Sequence, residues 1–387
     1  MSYLVLARKL RPNRFEDLVG QGAIGTTLKN AIESNRVAHA FLFTGPRGTG
    51  KTSCARILTK ALNCSSPQGA EPCGVCDTCV EISEGRSTDV IEIDAASNRG
   101  IEHIRELRDS VKFSPANCRY KTYIIDEVHM LTTESFNALL KTLEEPPDHV
   151  KFILATTEFH KVPATVVSRC QRFDFSNIAI DVMVDYLKQV AQSESLDISD
   201  SALQLIAKSS TGGMRDALTT LDMLIGFSGS TIEDDTVIQV LGLNDIRQID
   251  DLLQGIIEKD LDRVITLFQT VFAKGHSITQ LLTDLMRAVK NMSLVKSLPE
   301  EKIRWLHLLP DQYKLYNELA GKITHTTLQK LFDILLDLEA QVKRSTQARV
   351  CVEMGLIKMC SVDSMAGVAE IISVLKNTDS VKKNSSR

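Results

Sequence analysis

The sequence predicts an α/β domain, a parallel sheet covered by helices on both faces, followed by segments that are helical throughout. Three observations carry this. From the start to about Asn177, short apolar runs alternate with amphipathic stretches of helical period, the pattern of strands joined by crossover helices. A glycine-rich run, Gly45-Pro46-Arg47-Gly48-Thr49-Gly50-Lys51-Thr52, sits between one such strand and the helix after it. Beyond Ile178 the apolar residues keep helical spacing only.

Four strands are expected, at residues 40–43, 90–93, 122–125 and 152–155, with a fifth near 172–175. Ala40-Phe41-Leu42-Phe43 is continuously apolar, which suits a strand buried on both faces. After the glycine-rich run, Cys54, Ile57, Leu58, Ala61 and Leu62 recur on one side of a helix. Residues 180–192, 201–210 and 214–225 read as helices, with Gly212-Gly213 as a break between the last two. From about Asp245 to Met359 the helical period continues, clearest at Leu328, Leu331, Phe332, Leu335, Leu336 and Val342. The expected division is a nucleotide-binding domain at 1–178, a small helical domain at 179–243, an all-helical domain at 244–363 and a polar tail at 364–387, in which 368–375 forms one more helix. No internal repeat is visible.

Composition excludes some classes. Lys and Arg number 45 against 49 Asp and Glu, a net charge of -4, so no global basic field marks a nucleic-acid binder. No run of about 18 apolar residues is present, and the start lacks a secretory signal, so a cytoplasmic protein with no membrane partner is expected. A local basic stripe remains: Arg105, Arg108 and Lys112 fall on one side of the helix expected after residue 100, with Ile101, Ile104, Leu107 and Val111 on the other. Such a stripe is either a solvated face or a track for phosphates.

The glycine-rich run fits GxxxxGK[ST]. Its glycines let successive backbone N–H groups face phosphates at a helix N-terminus, Lys51 adds a charge near the β and γ phosphates, and Thr52 is placed to hold Mg2+. A nucleoside triphosphate is therefore the expected ligand. Asp126 and Glu127 end the apolar run Tyr123-Ile124-Ile125, at the strand edge where open α/β sheets bind ligands. Asp126 suits Mg2+ opposite Thr52, and Glu127 suits activation of the attacking water. A phosphotransferase would need an acceptor site that nothing nearby marks, so hydrolysis is favoured. Thr157, at the tip of the next strand, is placed to hydrogen-bond the γ-phosphate or the water. Arg215 opens a helix and Arg169 lies in Ser168-Arg169-Cys170; by composition alone Arg215 is as readily a surface charge as a functional group.

Nine cysteines are unevenly spread, with Cys64, Cys73, Cys76 and Cys79 in one short segment. Four thiolates suffice for tetrahedral coordination, with Pro72 and Gly74 easing the turns, and the absence of an open position marks a structural site. Zinc is the first expectation; an iron–sulfur cluster and four free thiols are the alternatives.

Several runs together resemble the gamma/tau clamp-loader ATPases of bacterial DNA polymerase III, within the AAA+ family. They are Arg8 to Pro12 with Phe15 and Val19-Gly20-Gln21, the phosphate loop, the four cysteines, Glu92 to Ser97, Ile125 to Leu131, Phe136 to Pro147, Ser168-Arg169-Cys170 and Arg215 to Leu218. The likeness covers about Tyr3 to Lys358 and is thin in the last domain. It implies an AAA+ sheet with a zinc insertion at about 64–79, a helical lid and a helical collar. It further implies an adenine pocket around Arg11, Pro12 and Val19, sensor roles for Thr157 and Arg215, and an Arg169 that acts in trans on the neighbouring subunit's ATP. The implied partners are other clamp-loader subunits in a hetero-oligomeric ring, a sliding clamp and primer-template DNA. Another AAA+ DNA-remodelling ATPase, or a nucleotide-binding scaffold without turnover, is the rival reading. Longer members continue into a proline-rich linker and domains that bind helicase and polymerase, so tethering of a polymerase is not expected of a chain that stops at Arg387.

Overall fold

Strict alternation along the run at residues 40–44 decides the first layer of the fold. Ala40 and Leu42 point to one side of the sheet and Phe41 and Phe43 to the other, and all four are fully buried, so both sides must be covered. The computed structural model describes residues 4–98, 100–241, 246–273, 277–306, 308 and 310–362, and the chain divides into two compact units, residues 1–237 and 238–387.

In the first unit, α1 (Leu6–Lys9) and α2 (Gly22–Glu33) precede β1 (Ala40–Thr44) and α3 (Lys51–Asn63), and α4 (Asp77–Glu84) precedes β2 (Val90–Asp94). There follow α5 (Ile101–Ser110), β3 (Lys121–Asp126), α6 (Thr133–Glu144), β4 (Val150–Thr156), α7 (Ala164–Val167) and β5 (Gln171–Asp174). The five strands form one parallel sheet in the order β2-β3-β4-β1-β5. The three inner strands are the most apolar and the most buried, while β2 and β5 at the edges keep exposed residues. One face packs Leu42, Tyr123, Phe152 and Leu154 against Ile104 and Leu107 of α5 and Phe136 and Leu139 of α6. The other packs Phe41, Phe43, Ile124 and Ile153 against Leu28 of α2 and Cys54, Ile57 and Leu58 of α3. The result is the three-layered α/β domain expected.

A helical bundle completes this unit: α8 (Ile180–Ser193), α9 (Asp200–Ser209) and α10 (Met214–Ser228), joined to α11 (Asp234–Leu241). Two short parallel strands, β6 (Asp197–Ile198) and β7 (Thr231–Ile232), tie its loops together; two-residue strands carry too little periodicity to be read in advance. The bundle reaches the phosphate loop through Gly213, where a Cβ would stand 2.9 Å from the Arg47 carbonyl oxygen. At the other end of the loop, Gly45 has φ +139° and a Cβ there would overlap the Phe175 carbonyl oxygen at 2.2 Å, so only glycine fits.

The basic stripe is shorter than expected. Ile104, Leu107 and Val111 are buried and Arg105 and Arg108 exposed, as the period requires, but α5 ends at Ser110 and Lys112 lies in the turn beyond it, 3.6 Å from Asp109. The Ser110 hydroxyl bonds both the Leu107 carbonyl and Tyr123, which draws the chain toward the sheet at that point.

The second unit is helical throughout its described residues: α12 (Ile246–Glu258), α13 (Leu261–Ala273), α14 (Ile278–Ser297), α15 (Pro310–Lys322), α16 (His325–Arg344) and α17 (Ala348–Cys360). Leu328, Leu331, Leu335 and Val342 enter its core, whereas Leu336 and Phe332 lie on the outer side of α16. Inside, the Tyr316 hydroxyl donates to Asp250 at 2.7 Å, satisfying a carboxylate that is almost wholly buried. The helix expected at 368–375 lies outside the described residues.

Candidate active site and metal centre

Gly50, in the left-handed region at φ 101°, turns the loop into α3, so the free N–H groups of the first helical turn face outward at the C-terminal edge of the sheet. Lys51 is the first residue of α3, and its ammonium donates to the carbonyls of Gly45 at 2.8 Å and Pro46 at 2.7 Å. Burial lowers its pKa, opposed by the nearby carboxylates of Glu127 and Asp126. One residue on, the Thr52 hydroxyl donates to the Asp126 carboxylate at 2.6 Å. The two groups expected to share Mg2+ are thus brought into contact from α3 and β3. An alcohol oxygen beside a carboxylate is the hard-oxygen donor set that this ion takes together with phosphates and waters.

Glu127 follows with φ 47°, an uncommon conformation for a residue with a side chain, which turns its carboxylate toward the tip of β4. There it accepts from the Thr157 hydroxyl at 3.0 Å and the Thr157 backbone N–H at 3.3 Å. His129 lies in the run from Ile125 to Leu131 but carried no expected role. Its ring is nearly buried, with Nδ1 2.9 Å from the Thr156 hydroxyl and 3.4 Å from Glu127, and Nε2 3.3 Å from Glu158. A single histidine carries no periodic signal, so sequence reasoning had little with which to find it.

Lys51, Thr52, Asp126 and Glu127 line a cavity of about 760 Å³, which Thr157 and His129 do not border directly. Its walls include Arg11, Pro12 and Val19, the loop from Arg47 to Thr52, Asp126 and Glu127, and Arg215 from α10. Gly45 and Pro46 do not line it; they hold Lys51 through their carbonyls. The Arg215 backbone N–H meets the Gly48 carbonyl at 3.4 Å, so the start of α10 rests on the phosphate loop. The cavity is strongly basic: burial, then the charge of Arg56, depresses the pKa of Arg11, with Arg215 and Arg8 adding to the effect against Glu92. Arg56 and Lys60 also line it, and the sequence reading assigned them no role. Their spacing of four on α3 puts the two cations side by side on the helix, which was a usable signal.

Arg169 stands apart. It does not line this cavity, and its guanidinium is held at the surface by Glu144 at 2.6 Å, the Thr165 carbonyl at 2.7 Å and Ser168 at 3.1 Å.

The four cysteines converge. All their sulfurs lie within 4.8 Å of one another, and Cys64 and Cys76 are 3.9 Å apart. A zinc–sulfur bond of about 2.3 Å in a tetrahedron sets sulfurs about 3.8 Å apart, so the donor set fits the metal. Backbone N–H groups point at the sulfurs, Cys73 to Cys64 at 3.4 Å and Cys76 to Cys73 at 3.3 Å, the support that thiolates receive around a metal.

Comparison with known proteins adds the family context. Residues 20–179 match the family described as DNA polymerase III, delta subunit. Residues 182–230 match the DNA polymerase III clamp loader subunit, ATPase lid domain, and residues 232–375 match DNA polymerase III subunits gamma and tau domain III. The chain is 40% identical over 392 residues to DNA polymerase III subunit tau of Bacillus subtilis (strain 168), which covers 100% of this chain and 69% of that protein. It is 40% identical over 358 residues to the tau subunit of Escherichia coli (strain K12), covering 92% of this chain but 55% of the relative. Against DNA polymerase III subunit gamma of Buchnera aphidicola subsp. Acyrthosiphon pisum the identity is 38% over 362 residues, covering 93% and 99%.

Proposed function

Because the chain belongs to the gamma/tau clamp-loader family of bacterial DNA polymerase III, we propose that its cavity hydrolyses ATP to drive the opening of a sliding clamp and its placement on primer-template DNA. The observation that carries this reading is the contact between Thr52 and Asp126, with Glu127 beside it, in front of the first turn of α3.

In this reading the loop backbone and the N-terminus of α3 cradle the phosphates, and Lys51 supplies a positive charge near the β and γ positions. Thr52 and Asp126 hold Mg2+, which when bound neutralises charge on the phosphates. Glu127 takes the proton of the attacking water. Thr157 holds the Glu127 carboxylate and reports on the γ-phosphate, while Arg215 reaches the same phosphate from the helical lid. Arg11, Pro12 and Val19 form the wall for adenine. Arg169, exposed and away from its own cavity, completes the site of an adjacent subunit in trans, so one chain holds an incomplete active site.

Cys64, Cys73, Cys76 and Cys79 hold a structural Zn2+. The first unit comprises the nucleotide-binding domain and the lid, and the second serves as the collar that joins this chain to other clamp-loader subunits in a hetero-oligomeric ring. No helix among the described residues is long and apolar enough to cross a membrane.

The test is ATP turnover by the purified chain, alone and then with the other clamp-loader subunits, clamp and primed DNA. Strong stimulation by the complete assembly is expected. Turnover that the assembly leaves unchanged would make the chain a nucleotide-binding scaffold instead.

A further inference from the structure

The four-cysteine module is tied to the nucleotide cavity through the far end of α4, and nothing in the ATPase reading uses it. Cys64 is the residue at the C-terminal end of α3, the helix that begins at the phosphate loop. Cys76 caps α4 and Cys79 sits in its first turn, while Ser83, one turn further along the same face, meets the buried Lys60 ammonium at 3.3 Å. Lys60 also donates to the Asn13 side chain at 2.9 Å, and Ser83, Glu84 and Gly85 form part of the cavity wall.

A second tie leaves the module just before Cys73. One Glu71 oxygen accepts the backbone N–H of Phe15 at 2.9 Å, and the other lies 3.5 Å from Lys29. Phe15 is almost fully buried and stands between Pro12 and Val19 in the chain, so Glu71 holds the segment that carries the wall proposed for adenine. α4 has eight residues, too few to be stable alone, and its position therefore depends on what pins its first turn.

We propose that the cysteine module is a brace for the nucleotide pocket, with Glu71 as a positioning residue, so that metal at the four thiolates and nucleotide in the cavity strengthen each other's binding. This rests on the metal reading of the cysteines and is independent of hydrolysis. Linkage requires the effect to be reciprocal: the factor by which metal tightens nucleotide equals the factor by which nucleotide tightens metal, and couplings of this kind run to roughly 5- to 150-fold.

The experiment uses the full chain with a fluorescent, non-hydrolysable ATP analogue and a zinc-chelating dye of known affinity. Zinc-loaded chain is expected to bind the analogue at least fivefold more tightly than chain depleted of zinc, and saturating analogue is expected to tighten zinc by the same factor. E71A, in which the module and all four thiols remain, is expected to lose about tenfold in analogue affinity. It should keep its zinc affinity in the absence of nucleotide and lose most of the coupling. Equal analogue affinity in loaded and depleted chain, or wild-type affinity and coupling in E71A, overturns the brace. Depletion that unfolds the chain, seen by circular dichroism, leaves E71A to decide. Chain purified without chelator that contains no zinc overturns the metal reading, and with it the coupling.

Discussion

Thr157 donates both its hydroxyl and its backbone N–H to one oxygen of Glu127, joining residues 30 positions apart at the ends of two neighbouring strands. The contact occupies the carboxylate proposed to act on water, so the orientation of Glu127 is coupled to whatever competes for the Thr157 hydroxyl.

E127Q keeps the shape of this contact and removes the base. Turnover in the complete assembly is expected to fall about 10²- to 10⁴-fold, with nucleotide affinity within a few-fold of wild type. T157A should lower kcat with little change in nucleotide binding, and T157S should restore most of it because the hydroxyl survives. Steady-state kinetics with a parallel binding titration check both; a T157A variant with wild-type kcat would exclude the sensor role.

Arg169 lies on the surface, away from its own cavity. R169A is therefore expected to bind ATP normally as an isolated chain and to lose about 10³- to 10⁵-fold in assembly-stimulated turnover. A mixing experiment separates trans from cis action. Rings in which this chain carries R169A and its neighbour is wild type should lose activity at the neighbour's site, read by single-turnover kinetics.

Arg105 and Arg108 are exposed on α5, whose Ile104 and Leu107 are buried against the sheet. R105E and R108E are expected to weaken stimulation of ATPase by primed DNA and leave basal hydrolysis unchanged. They should also reduce the dependence of DNA affinity on salt, by about one counterion for each phosphate that is no longer neutralised. Unaltered DNA stimulation would return this stripe to a solvated face.

Gly355 lets α17 approach α16, because a Cβ there would stand 2.4 Å from Leu338. G355A forces that leucine or the helix to move and is expected to destabilise the second unit by about 1 to 3 kcal/mol. Urea unfolding of the full chain followed by Trp305, its lone tryptophan, reads this unit directly.

Much of the fold was legible because its signals are local. The continuous apolar run at residues 40–43 identified a strand buried on both sides, and spacing alone marked the four thiols as a candidate metal cluster. Lys112 was misplaced for a similarly local reason: period predicts which face a residue takes, but not the turn at which Ser110 bonds Tyr123 and the helix stops. His129 and Glu71 gave no warning, since one buried histidine or one glutamate before a cysteine has no pattern to recognise.

The sequence by itself determined the family, the phosphate loop and the residue types around it, since short motifs hold their chemistry within a few positions of backbone. Only the tertiary structure decided that Thr52 meets Asp126 across 74 residues, that Glu127 is held by Thr157, and that the end of the helix leaving the cysteine module, at Ser83 and Glu84, reaches the cavity. Those contacts depend on strand order and on how helices pack against the sheet, which are properties of the folded chain as a whole and leave no periodicity in the residues that make them.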